Sequence, residues 1–199
     1  MKITLLTEAS KEYWPLMQMT VPNKLEYCLK HNIQLCMLQS NGFSMRGRTQ
    51  SMIDTLATTD WLWFMGADTL IMNHTIDVRQ FLDDTCNVII GKDINGINND
   101  VMFIKNCAIS QYFLHNVQYY NNIEPNDQAA MQRVISEHPN LKTKIVHQKE
   151  FNSYLYSEYR YPDDGGGSYA PGDFVLHLPG IPNTRRIEIV KEYLNKVDK

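Results

Sequence analysis

Carboxylates, an imidazole and side-chain amides stand where short apolar runs of this 199-residue chain stop. In TDWLWFMGADTLIMN an aromatic run releases into Gly66, Ala67 and Asp68, followed by Thr69 and a second apolar stretch. A carboxylate at a strand end is a hard oxygen ligand, suited to Mg²⁺ or Mn²⁺ bridging two phosphate groups. The alternative for Asp68 is an Asx-turn, accepting from the backbone N–H groups that follow. In YAPGDFVLHLPG, Gly172 and Asp173 open a short apolar run, His177 ends it and Pro179-Gly180 breaks it. An imidazole there can complete a metal site begun by Asp68 and leave positions open for phosphate oxygens. A hydrogen-bonded core histidine is the alternative. EPNDQAAMQRVI brings Asp127 and Gln128 to a helix start, where Asn126 or Asp127 serves as cap. GINNDVMFIKN puts Asn98 in an Asn-rich turn that feeds a strand.

Bringing these groups together requires a sheet. Strand-like runs at 2–7, 33–39, 61–64, 87–90, 101–105, 144–147 and 174–177 alternate with helical stretches at 22–32, 48–58, 78–82, 110–117, 128–136 and 185–196. The alternation predicts an α/β chain with a central mixed, mostly parallel sheet flanked by helices. In such open sheets ligands bind beyond the carboxyl ends of the strands. Pro22 reads as a helix opener, 91–99 as a Gly/Asn-rich turn, and 159–172 as a mobile loop. That loop carries Asp163, Asp164 and three consecutive glycines, and is placed to close over a bound ligand.

Length and composition narrow the function. The chain suits one domain, 1–199. A net charge of −3 with 21% charged residues gives no field for polyanions, so neither nucleic acid nor a membrane surface is the expected partner. Cys28, Cys36, Cys86 and Cys107 lack metal-ligand spacing and read as free thiols in a reducing compartment. No apolar run approaches the roughly 18 residues of a membrane span, and the N-terminal run is too short for a signal peptide. A cytoplasmic protein, or a soluble piece of something larger, is expected. No GxGxxG follows the first strand, which argues against an NAD-type oxidoreductase.

NKLEYCLKHN, a basic Arg46 or Arg48, WLWFMGADTLIMN, INNDVMFIKNCAISQYFL, NDQAAM and GDFVLHLPG follow one another in order between residues 23 and 180. This series resembles the glycosyltransferase family of fungal α-1,6-mannosyltransferases, α-galactosyltransferases and plant xyloglucan xylosyltransferases. There the corresponding wording is NKxxYAxxHGY, WxWWxDxDxLIMN, LNxGxFLIRNxxWSxxFL, a DQ helix start and GDFxxHFxG. The chain is also similar to compact glycosyltransferase domains encoded by large algal viruses.

The resemblance implies a single GT-A (Rossmann-like) domain, a nucleotide-diphosphate sugar donor, a glycan acceptor and a retaining reaction. It implies Mn²⁺ (or Mg²⁺) held by Asp68 and His177, with UDP-glucose or another UDP-hexose as donor. Gly180 would lie against the diphosphate, Asp127 and Gln128 beside the transferring sugar, and Asn98 against donor sugar or acceptor. Thr7 and Glu8, at the end of the first strand, are positional candidates for ribose and base, and Arg48 and Ala67 complete the donor-binding set. Three departures stand out. Gly66 replaces the first aspartate of the family's DxD, Asp100 replaces the glycine of LNxG, and Pro182 replaces a phosphate-binding lysine of the plant enzymes. Arg185 or Arg186 is the candidate substitute for that lysine. Loss of the first DxD carboxylate leaves a catalytically silent nucleotide-sugar or glycan-binding module as the alternative function.

Overall fold

A computed structural model describes residues 1–40, 44–159, 162–163 and 165–199. Among the described residues nine strands and five α-helices succeed one another: β1 (Ile3–Ser10), α1 (Trp14–His31), β2 (Gln34–Ser40), α2 (Met45–Leu56), β3 (Trp61–Met65), β4 (Thr69–Ile71), β5 (Val88–Asp93), β6 (Gly96–Lys105), α3 (Ala108–Tyr120), α4 (Asp127–Glu137), β7 (Thr143–His147), β8 (Ser153–Tyr154), β9 (Val175–His177) and α5 (Asn183–Tyr193). Six strands form the central sheet in the order β2-β1-β3-β6-β5-β7. The pairs β1-β2, β1-β3 and β5-β7 are parallel, whereas β6 runs antiparallel to both β3 and β5. Five of the six strands therefore point the same way, as the alternating pattern predicts.

Both faces of this sheet are covered, which is why WLWFM of β3 is apolar at every position. Alternate side chains go to opposite faces. Leu6, Phe64, Met102 and Ile104 meet Met52 and Leu56 of α2, Phe113 and Leu114 of α3, and Met131 and Val134 of α4. Leu5, Trp63 and Phe103 face the other way, against Tyr27 of α1, Phe151 and Phe174. A second sheet, β4-β9-β8, packs its Leu70, Leu176 and neighbouring Met72 against Leu16 of α1 and Ile189 and Val190 of α5.

Three expectations need correction. Pro22 does not open a helix: α1 begins at Trp14 with Pro15 in its first turn, and Pro22 sits inside. The buried series Leu16, Met17, Thr20, Asn23, Lys24, Tyr27 and Cys28 recurs at helical spacing and carries the helix through that proline. Residues 91–99 are mostly strand, because β5 and β6 continue as a hairpin in which Asp93 pairs with Gly96. Stretch 78–82 is a 3-10 turn, Val78–Phe81, that Asp77 caps by accepting from the Arg79 N–H. The glycine loop of 159–172 is fastened where it is described: Asp163 accepts from the N–H groups of Gly167 and Ser168, and the Tyr154 N–H donates to the Gly167 carbonyl. Asp164 lies outside the described residues. Among the described residues no helix is long and apolar enough to cross a membrane.

Candidate active site

The register of the small sheet brings the first two predicted ligands together. Thr69 of β4 pairs with His177 of β9, and the Leu178 N–H donates to the Asp68 carbonyl (3.1 Å), so Asp68 and His177 are neighbours across a strand pair. His177 is fully buried and its Nδ1–H donates to Asn152 Oδ1 at 2.9 Å. That bond leaves the Nε2 lone pair free, and Nε2 is buried without a hydrogen-bond partner. It faces Asp68 Oδ1 at 3.5 Å and Asp100 Oδ2 at 3.6 Å. Both separations are too long for good hydrogen bonds. Ligand atoms of the three residues lie within 4.8 Å of one another. A buried orphan nitrogen facing two carboxylates is a donor set that suits a divalent cation.

Two arginines flank the cluster. Arg186, on α5 and buried, reaches Asp68 Oδ2 at 3.1 Å, donates through Nε to the Leu178 carbonyl (2.8 Å), and stands over the Tyr13 ring. Arg48, on the first turn of α2, meets Asp100 Oδ1 at 2.6 Å and Asp127 Oδ2 at 3.1 Å, and stacks its guanidinium 4.4 Å from the Phe64 ring centre. Burial works against charge on Asp68, yet its charged surroundings, with the Arg186 guanidinium at 3.1 Å, hold its carboxyl well below the usual carboxylate range. Burial likewise opposes charge on Arg48, but Asp100 and Asp127 raise its pKa further.

The connection that carries Asp68 is pinned from beneath by α1. Lys24, fully buried, donates to the carbonyls of Gly66 (3.1 Å) and Thr69 (3.0 Å), and Thr20 donates to that of Ala67 (2.8 Å). Asn23 exchanges two bonds with the Ile71 backbone. Tyr27 donates to the Ile76 carbonyl and accepts from the Val78 N–H, and His31 Nε2 donates to the His74 carbonyl. The polar letters of NKLEYCLKHN thus hold segment 66–78 in register.

A cleft of about 390 Å³ opens above this floor, its walls including Glu8, Ser10, Tyr13, Arg48, Asp68, Asp100 and Arg186. That size is in the range of small-molecule sites. The fourteen lining residues carry four carboxylates (Glu8, Glu12, Asp68, Asp100) and two guanidiniums (Arg48, Arg186).

The remaining predicted residues are distributed unevenly around this cleft. Ala67 lines it, and Glu8 enters it with Oε2 buried and unpartnered. Thr7, one residue earlier on β1, is wholly buried and is not among the lining residues. Asn126 caps α4 by accepting from the Ala129 N–H. Asp127 is therefore freed from capping and joins the cleft through Arg48, with Gln128 half-buried beside it. Asn98 is buried and is not among the lining residues: its amide donates to Asp93 and Tyr154 and accepts from the Asp100 N–H. Gly180 is exposed in a left-handed turn (φ 66°), where a Cβ would come 3.2 Å from the Tyr159 ring. Arg185 points out of the site and pairs with Glu158 (Nε to Oε2, 3.0 Å) and Glu188 (2.9 Å); the buried guanidinium belongs to Arg186. Lys24 and Asn152 were not singled out by sequence. A lysine and an asparagine on the buried stripe of α1 were the available signal for the first, and nothing local marks the second.

Comparison with known proteins agrees with this architecture. The chain matches the galactosyl transferase GMA12/MNN10 family over residues 3–85 and 81–188. It is 21% identical over 229 residues to an α-1,2-galactosyltransferase of Schizosaccharomyces pombe, an alignment covering 87% of this chain and 58% of the relative, so the chain spans just over half of that protein. Among solved structures, a glycosyltransferase involved in glycosylation of the major capsid of PBCV-1 superposes with a TM-score of 0.77 at 16% identity, covering 96% of this chain and all of that one. The galactosyltransferase LgtC, solved with donor and acceptor sugar analogues, gives 0.60 at 11% identity over 98% of this chain and all of its own. Those structural likenesses establish a GT-A glycosyltransferase fold, and the match across residues 3–188 establishes that the chain belongs to the galactosyl transferase GMA12/MNN10 family.

Proposed function

We propose that the protein transfers a hexose from a nucleotide-diphosphate sugar, a UDP-hexose being the first candidate, to a glycan acceptor, with a divalent cation (Mn²⁺ or Mg²⁺) held by Asp68 and His177. The observation that carries this reading is the buried, unpartnered His177 Nε2 facing a carboxylate whose far oxygen is fixed by Arg186. When bound, the cation would supply positive charge to the diphosphate of the departing nucleotide.

The chain's own residues perform the rest. Asn152 fixes the His177 ring so that Nε2 is the free nitrogen. Arg186 and Arg48 present guanidiniums to the cleft, where a diphosphate leaving group builds up negative charge. Asp127 and Gln128, at the start of α4, are the candidate stabilisers of positive charge on the sugar ring, with Asp127 oriented by Arg48. Glu8, unpartnered in the cleft wall, is the candidate acceptor for a ribose hydroxyl or a base N–H. The retaining outcome belongs to the same proposal and rests on the family pattern.

Thermal melts with UDP, GDP and their hexose conjugates, with and without Mn²⁺, test it. A donor at a hundred times its Kd stabilises by about 2.7 kcal/mol, or roughly 5–10 °C for a domain of this size. That shift is expected to require Mn²⁺ and to vanish in Asp68→Asn and His177→Ala. If no nucleotide or sugar conjugate stabilises the wild-type chain, the reading is wrong. Stabilisation with neither donor hydrolysis nor transfer would identify a binding module instead.

A further inference from the structure

Resting on the metal-dependent reading above, we infer that Asp100 is a third protein ligand of the cation, and that Gly66 lacks a side chain so that the Asp100 carboxylate can occupy the space beside Asp68.

The carboxylate of Asp68 arrives from the β3-β4 connection and that of Asp100 from β6, yet they are held alike. Asp68 gives Oδ2 to Arg186 (3.1 Å) and turns Oδ1 toward His177; Asp100 gives Oδ1 to Arg48 (2.6 Å) and turns Oδ2 toward the same nitrogen. Each arginine thus fixes one oxygen and leaves the other facing the unpartnered Nε2. Ligands bound at about 2.1 Å to a common ion stand about 3.0–3.5 Å apart, close to the 3.5 and 3.6 Å separations here. The backbone fixes the approach: the Gly66 N–H donates to the Asp100 carbonyl (2.8 Å), extending the β3-β6 ladder one step past Met65 and Val101. A Cβ on residue 66 would fall 3.0 Å from Asp68 Oδ1 and 3.2 Å from Asp100 Oδ1. A side chain at 66 and the present position of the Asp100 carboxylate therefore compete for one space. Gly66 and Asp100 face each other one step past the β3-β6 pairs, and there the carboxylate is supplied from β6.

The test uses the full chain and Mn²⁺ alone, read by calorimetric titration and by the electron paramagnetic resonance of free ion, with metal-free melts to report folding. Asp100→Asn keeps the shape and an acceptor for Arg48, and is expected to weaken Mn²⁺ binding at least about tenfold with the metal-free Tm nearly unchanged. Asp100→Gly should lose affinity at least as far, and adding Gly66→Asp to it should recover Mn²⁺ binding to within about threefold of wild type. Wild-type affinity in Asp100→Asn or Asp100→Gly would overturn the inference, as would a double variant no better than Asp100→Gly. A wild-type chain that binds no Mn²⁺ would instead remove the metal-dependent reading on which the inference stands.

Discussion

Lys24 offers a test in which the sign is fixed by the structure. Its ammonium is wholly enclosed, bonded to the Gly66 and Thr69 carbonyls and to Thr20 Oγ1. Burial lowers its pKa from 10.5 to about 7, against the opposing pull of Asp68 and Cys28. The unfolded chain keeps this proton until about pH 10.5, whereas the folded chain releases it near pH 7. Between those values the unfolded state binds more protons, so the Lys24 contribution to stability rises with pH. Below pH 7 both states are protonated and the penalty for enclosing the charge is present in full. Across the whole window a shift of this size amounts to about 5 kcal/mol, of which roughly 2 kcal/mol accrues between pH 7 and pH 9. For a chain of 199 residues that is a gain of about 5 °C in Tm. Melts at pH 7 and pH 9 on wild type and Lys24→Met measure it. Methionine fills similar space without titrating, and comparing the two pH responses cancels every other group. The wild type should gain about 5 °C more than the variant. Equal responses would show that the enclosed ammonium keeps its ordinary hold on the proton, its three acceptors offsetting burial, and would refute the burial penalty on its charge.

The remaining tests separate neighbours in sequence. Arg186→Ala breaks a buried pair with Asp68 and strands the Leu178 carbonyl; it should cost about 3 kcal/mol and abolish Mn²⁺-dependent donor stabilisation in the melt assay. Arg185→Ala removes exposed pairs and should change stability by less than about 1 kcal/mol with the donor shift intact. Tyr27→Phe deletes the hydroxyl that bridges the Ile76 carbonyl and the Val78 N–H, and should lower stability by about 1–3 kcal/mol in denaturant titration while Mn²⁺ affinity stays within about twofold.

The strand ends were legible because burial on both sheet faces writes an unbroken apolar run, and Asp68 and His177 each stand where such a run stops. Two kinds of information were not local. Asp100 lies within β6, between Asn99 and Val101, and only its antiparallel register against β3 places its carboxylate beside Gly66. Arg185 and Arg186 are adjacent letters separated by about 100° around α5, and the packing of α5 on α1 and the small sheet decides which faces Asp68. The start of α1 was hidden for a different reason. Its buried stripe includes Thr20, Asn23 and Lys24, polar residues whose partners are backbone groups of segment 66–71, so the stripe does not read as apolar until those partners are known.

Under the proposed function, the charges lining the cleft explain why a cation and a nucleotide diphosphate would bind there together. Arg186 faces Asp68, and Arg48 faces Asp100, Asp127 and Glu8, so the four carboxylates of the lining outnumber its two guanidiniums. A diphosphate entering beside them meets an excess of negative charge. A divalent charge beside His177 cancels that excess without displacing either arginine, because each carboxylate already turns one oxygen to its guanidinium and the other inward. Linkage makes the effect mutual: whatever the cation adds to donor affinity, the donor adds to cation affinity. On that proposal donor and cation affinities rise together, and the paired arginines keep the protein charges in place before either arrives.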